Sequence, residues 1–272
     1  MNAPTRPALR WHGGKWMLAP WIISQMPAHR VYVEPYGGAA SVLMRKDRSY
    51  AEVYNDLDGD VVNYFQHLRD PDLRDRLIDV IELTPFSEAE FQQSYDEAPD
   101  PLERARRLAV RSFMGFGSAG ASGQSTGFRA NSNRSGTTPA HDWVNVPTAL
   151  KLIAGRLSGV VIHQRAALRV MAQHDSPETL HYVDPPYVPS TRDAGSDYRH
   201  EMTAGDHSEM LDALKALKGK VMLSGYPCDH YDEALPNWDR IERRALADGA
   251  RERTEVLWLN FKPEPDLFSN SP

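Results

Sequence analysis

The sequence predicts an α/β protein built on a mainly parallel, wound sheet, and three observations carry that prediction. Short runs rich in Val, Ile, Leu and Tyr alternate along much of the chain with longer stretches of helical apolar spacing, the order that parallel strands need for their crossovers. A turn of Glu34-Pro35-Tyr36-Gly37-Gly38 stands where the first of those runs meets its helix. Further on, HYVDPPYVPS (His181–Ser190) ends another run in two consecutive prolines, which stop a strand because neither has an N–H to give to a ladder.

Taken in order, residues 1–10 hold two prolines and read as a loose arm. Trp11-His12-Gly13-Gly14-Lys15 leads into an apolar stretch read as a short helix interrupted near Pro20. Val31–Pro35 is a strand candidate, and YGGAASVLMRK turns from it into a helix. Ala51–Asp56 is the next strand, followed by a helix with Val61, Val62, Phe65 and Leu68 on its buried face. From about Asp70 to Leu157 the alternation stops. Helical pieces (Leu73–Glu82, Glu88–Tyr95, Leu102–Met114) precede a glycine-rich polar run from Gly115 to Ala140, and a helix resumes from Asn145 to Leu157. Strands at Gly159–Gln164, TLHYVDP and KVMLSGY then return, with helices RAALRVMAQH and His207–Gly219 between them; the second has Met210, Leu211, Leu214 and Leu217 inward. RIERRAL and TEVLWLNF read as a closing antiparallel pair. The chain thus divides into 1–69 and 158–272, two parts of one sheet domain, around an insert at 70–157. Compact domains seldom keep so long a loop without a use, which marks the insert as a substrate-recognition module.

Bulk properties narrow the function classes. With 272 residues, 41% hydrophobic and 25% charged, the chain fits a globular protein of one large domain or two smaller ones. No apolar run approaches the roughly 20 residues of a membrane span, and the first ten residues lack the apolar core of a signal peptide. One cysteine, Cys228, excludes an internal disulfide and a thiolate cluster for zinc, so a cytoplasmic location is the default expectation. The net charge is −6, but residues 101–169 carry ten basic side chains against two acidic ones, a local +8 that leaves −14 for the remainder. That asymmetry is what a protein with one nucleic-acid face shows.

The candidate chemistry centres on Asp184-Pro185-Pro186-Tyr187. Asp184 and the carbonyls beside it offer acceptors, and Tyr187 a flat ring. Acceptors converging on one NH2 group, with a ring to stack on, suit the exocyclic amine of a flipped-out adenine or cytosine. The glycine turn at 37–38 lets backbone approach a ligand at a helix N-terminus. Asp56, about twenty residues beyond it at the end of the next strand, can accept from both hydroxyls of a ribose. An adenosine-bearing cofactor fits this pair, and the missing G-x-G-x-x-G pattern argues against a dinucleotide.

Four blocks in order, RWHGGK, YVEPYGGAASV, YNDLDGD and YVDPPY, resemble the S-adenosylmethionine-dependent DNA adenine-N6 methyltransferases of the Dam-like family, nearest to its phage-type members. YRHEM, KVMLSGY and TEVLWLNF fit as well, so the resemblance runs from Arg10 to Phe261 and is weakest in the insert. It implies a Rossmann-like methyltransferase fold with a seven-stranded, mainly parallel sheet and a helical target-recognition insert. It also implies S-adenosylmethionine as cofactor, held by Trp11, Lys15, Tyr36, Gly38, Asp56 and Asp184, and catalysis at Asp184, Pro185, Pro186 and Tyr187 on double-stranded DNA without a metal. Candidate DNA contacts are Arg129, Asn131 and Arg134 on the glycine-rich loop, where Arg and Asn suit guanine and adenine edges, with Phe128 and Asn133 beside them. Arg104, Arg106, Arg107 and Arg111 are candidates for phosphates, and Tyr198 and Arg199 for a clamp after the active-site motif. Two departures stand out. Ala40 replaces a common third glycine, which matters only where that position needs a positive φ. Gln164, Arg165 and Ala166 stand where relatives often carry an acidic or aromatic residue near the adenine ring, so no ring contact is assigned there. Cytosine N4, an RNA amine and a catalytically silent DNA-binding relative are the competing readings. The resemblance leaves open whether a cognate restriction endonuclease accompanies the protein.

Overall fold

Among the described residues, seven strands pair in one sheet: β1 (Val31–Glu34), β2 (Ala51–Asn55), β3 (Val160–His163), β4 (Thr179–Val183), β5 (Lys220–Gly225), β6 (Asp239–Ala247) and β7 (Arg251–Leu259). The computed structural model describes residues 3–117, 126–133, 136–191, 199–247 and 251–263. The strand order is β3-β2-β1-β4-β5-β7-β6. β1 to β5 run parallel, and β7 enters antiparallel between β5 and β6. This is the mainly parallel, seven-stranded sheet that the sequence predicts, and its closing pair is the expected antiparallel ribbon. The chain moves outward from β1 through β2 to β3, then returns to β4 on the other side. The carboxyl ends of β1 and β4 therefore flank the switch point, where open sheets form their binding crevice.

Period-two alternation sorts side chains onto the two faces. Tyr182, Met222 and Leu257 join one core, while Val183, Leu223 and Trp258 join the other. The first core also holds α3 (Gly59–Arg69), α4 (Pro71–Leu83), α6 (Pro101–Met114) and α8 (Val146–Leu157), so the helices of 70–157 share buried contacts with the sheet's own helix α3. The other face packs α9 (Ala167–Gln173) and α10 (Ala204–Ala216). Local signals set the helix starts. Asp58, Asp70 and Asp100 accept from the first-turn N–H groups of α3, α4 and α6, and Thr203 with Asp206 forms a capping box on α10.

Two sequence expectations are corrected. Pro20 begins rather than interrupts a helix: α1 (Ala19–Ser24) carries it in its first turn, where no N–H is needed. Over its described residues, 3–10, the N-terminal arm is not loose. Ala8 and Leu9 are buried, Tyr64 donates to Ala8 O, and Arg10 N donates to Ser112 Oγ at 2.7 Å. Two short helices, α7 (Pro139–Val144) and α11 (Asp229–Ala234), follow α6 and β5 where no helix was read. They are about a turn and a half each, too short to display a period. The remaining helices are α2 (Ser41–Arg45) and α5 (Glu88–Gln93).

Candidate active site

The switch-point crevice is built by strand ends that fasten to one another. Asn55, fully buried at the end of β2, donates to Pro35 O at 2.8 Å and to Arg165 O at 2.9 Å, and accepts from Arg165 N. The loops after β1, β2 and β3 are thereby held in register. Between them opens a cavity of about 310 Å³. Trp11, Lys15, Tyr36, Gly38, Asp56 and Asp184, spread over 174 positions from first to last in the sequence, all line it. Ala166, Ala167 and Leu168 add an apolar wall.

The glycine turn is dictated by crowding. Gly38 sits at φ +47°, and a Cβ there would lie 2.8 Å from the Trp11 indole nitrogen; a Cβ at Gly37 would enter the Tyr54 ring. Gly38 N donates to Asp56 Oδ2 and Asp58 N to Asp56 Oδ1, both at 2.8 Å. Two donors fix the carboxylate and leave each oxygen a further lone pair for a ligand. Burial still pushes the Asp56 carboxyl up to about 6, against the lowering by those two N–H groups. Ala40, the departure noted above, does lie at positive φ (+54°), so the strain that a third glycine would avoid is present here.

Asp184 leaves the end of β4 into the cavity. Its Oδ1 accepts from Ser224 Oγ at 2.7 Å and lies 3.1 Å from Lys15 Nζ. Lys15 also donates to Gly13 O at 2.7 Å and stands 3.6 Å from Glu255 Oε1. Tyr187 donates its hydroxyl to Glu255, whose carboxyl burial pushes up. A buried cation is thus shared by two carboxylates, whose attraction offsets part of the cost of taking it out of water.

The structure also sorts the expected catalytic residues. Asp184 and Pro186 line the cavity; Pro185 is buried behind it and does not. Tyr187 is 6% exposed, with Lys15 Nζ 4.8 Å from its ring centroid and the edge-to-face ring of Tyr226 at 4.7 Å. The Tyr187 ring is therefore packed between neighbours in this structure, and its hydroxyl donates to Glu255. Glu34, Ser224 and Glu255 were not singled out from the sequence. Their shared signal is a polar side chain inside an otherwise apolar strand, at 34 in VYVE, 224 in VMLSG and 255 in TEVLWL. Burial pushes the Glu34 carboxyl up to about 8 while it accepts from Tyr32 Oη and Leu43 N.

The candidate DNA residues divide. Arg106 pairs with Glu103 and Glu90, and Arg107 with Glu103, so two of the expected phosphate contacts are satisfied inside the protein. Arg111 is 8% exposed and donates to Ser94 O. Arg129 donates to Phe113 O at 3.0 Å and lies 3.9 Å from Asp142, a pairing that anchors the loop rather than presenting the guanidinium. Asn131 is exposed and turns back to accept from Asn133 N. Arg199, at the mouth of the cavity, bonds Asp58 at 3.0 Å and Asp60 at 3.1 Å. Arg134 and Tyr198 lie outside the described residues. Phe116, 68% exposed just beyond α6, was not anticipated.

A crevice of this construction, at the switch point of a sheet ordered β3-β2-β1-β4-β5-β7-β6, belongs to a Rossmann-like methyltransferase fold. Comparison with protein families narrows the class. The chain belongs to the D12 class N6 adenine-specific DNA methyltransferases, whose family model matches residues 11–247. Comparison with curated proteins finds no match.

Proposed function

We propose that the protein transfers a methyl group from S-adenosylmethionine to N6 of an adenine flipped out of duplex DNA. The observation that carries this reading is the meeting of Asp56, the Gly37-Gly38 turn and Asp184 around one cavity. The cavity fits the donor in kind. Asp56 supplies buried acceptor oxygens for a ribose, Trp11 and Leu168 supply apolar walls, and the glycine turn lets backbone come close. When bound, the donor supplies an electrophilic methyl group on a sulfonium.

Asp184 does the positioning chemistry. Ser224 and Lys15 engage its Oδ1, which leaves Oδ2 to accept from the target amine. A hydrogen bond from N6 to that oxygen draws the nitrogen lone pair out of the ring and aims it. With the donor bound, the N6–methyl bond would form as the sulfur–methyl bond broke, and the N6 proton would be released beside the Asp184 carboxylate. Alignment and fixed charge supply most of the rate. Lys15, 3.1 Å from Oδ1, and the Ser224 hydroxyl together fix how the Asp184 carboxylate is turned. On the DNA side, the exposed Phe116 ring and Asn131 face outward from the insert, and unstacking the base costs a few kcal/mol.

The test is methyl transfer from labelled S-adenosylmethionine to duplex DNA, with the modified base identified. N6-methyladenine formed by wild type and not by Asp184→Ala is expected. N4-methylcytosine would move the assignment to the competing amine, and no label in DNA or RNA would remove it.

A further inference from the structure

A second cavity, of about 340 Å³, opens beside the first, and Arg199 lines both. Its interior is set by α6 and the start of α3. Arg104 Nε lies 4.0 Å from Asp60 and Arg111 Nη2 3.7 Å from Asp60, too far for hydrogen bonds, while Arg199 takes that carboxylate at 3.1 Å. Arg104 Nε and Arg111 Nε are buried and have no hydrogen-bond partner among the described residues. Four guanidiniums line the cavity; Arg107 is paired with Glu103, and Arg104, Arg111 and Arg199 share Asp60 and, outside the lining, Asp58, which leaves one positive charge over among these groups. Asp96 and Glu97 also line the cavity, but both are exposed, so water and salt screen them more than the buried groups.

Buried guanidinium donors without acceptors are costly unless a ligand completes them. The group that fits is singly charged, tetrahedral and rich in acceptor oxygens. We propose that this cleft seats one phosphodiester of the DNA strand, held by Arg104, Arg111 and Arg199. The inference rests on the DNA reading above and refines it: arginines of α6 act through one recessed site, whose wall Arg107 joins while paired with Glu103, and Arg106 stays paired with Glu103 and Glu90. Because Arg199 walls both cavities, the seated phosphate lies next to the methyl-transfer site.

The test uses the full chain and a set of duplexes, each carrying one neutral methylphosphonate at a different position around the target adenine. In wild type, one position is expected to weaken binding by about tenfold. In Arg104→Ala that position is expected to have no further effect, and the slope of log Kd against log salt to fall by about 0.9. Arg104 is 41% exposed at its side chain, so this variant keeps the fold; Arg111→Gln serves as a second variant with its unfolding temperature checked. An Arg104→Ala protein that still methylates DNA with the wild-type salt slope and the wild-type methylphosphonate profile overturns the cleft. Absence of methyl transfer by wild type would instead overturn the underlying reading.

Discussion

The Lys15 ammonium lies 3.1 Å from Asp184 Oδ1, and the same ammonium is 3.6 Å from Glu255 Oε1. With one cation between two carboxylates, removing the cation leaves like charges facing each other in a buried site. Lys15→Met is therefore expected to destabilise the fold by about 3 kcal/mol. Glu255→Leu added to it should recover part of that loss, because it removes one of the orphaned charges. Thermal unfolding of the two single variants and the double variant measures the coupling. Strictly additive effects would show that the three groups do not act as a unit.

Asp184→Asn keeps the shape of the side chain and replaces an acceptor by an amide. The turnover number is expected to drop about a thousandfold, a loss similar to deleting one preorganised electrostatic contact. DNA affinity should hold, since the proposed phosphate cleft is a separate cavity. Single-turnover kinetics with a separate binding titration distinguish the two. A variant that keeps more than a tenth of the wild-type rate would remove Asp184 from the chemistry.

Positions 38 and 40 share positive φ but differ in surroundings. Gly38→Ala places a methyl against Trp11 and is expected to cost about 1–2 kcal/mol and to weaken donor binding, because Trp11 and Asp56 both shift. Ala40→Gly relieves backbone strain but gives up a buried methyl worth about 0.8 kcal/mol, so its stability should stay close to wild type. Calorimetric titration with S-adenosylmethionine, alongside urea unfolding, tests the contrast. Equal donor affinity in Gly38→Ala and wild type would contradict the crowding argument.

Glu34 makes stability depend on pH in a direction that can be worked out. Its carboxyl stands at about 8 when folded, against an ordinary value of 4.5, so between those two values the folded state holds more proton than the unfolded one. Stability contributed by this group is present below the ordinary value and is lost as pH rises through the folded one. Glu34→Gln should flatten that decline, gaining on wild type by at most about 1.4 kcal/mol per pH unit across the window. Urea unfolding at a series of pH values checks it, and parallel curves for the two proteins would refute the assignment.

What the sequence made legible was local. Strand ends, caps and the Pro185-Pro186 stop are written within a few residues, and so the sheet and the positions of Asp56 and Asp184 could be read directly. Partnerships across the sheet could not. Ser224 meets Asp184 because β5 lies beside β4, and Glu255 meets Lys15 and Tyr187 because β7 inserts beside β5; no periodicity encodes either pairing. The same limit holds for Arg106 and Arg107 only in part. Glu103 is one turn before both on the same helix and was legible from spacing, but Glu90 reaches Arg106 only once α5 packs on α6.

The place of β7 in the sheet has a consequence for synthesis. The strand is interior, flanked by β5 and β6, and it brings Glu255 to a lysine near the other end of the chain. A nascent polypeptide can form β1, β2 and the glycine turn long before that strand leaves the ribosome. Until it does, Tyr187 and Lys15 lack their shared carboxylate. The chain therefore acquires its complete Asp184 environment only once its last strand has been made.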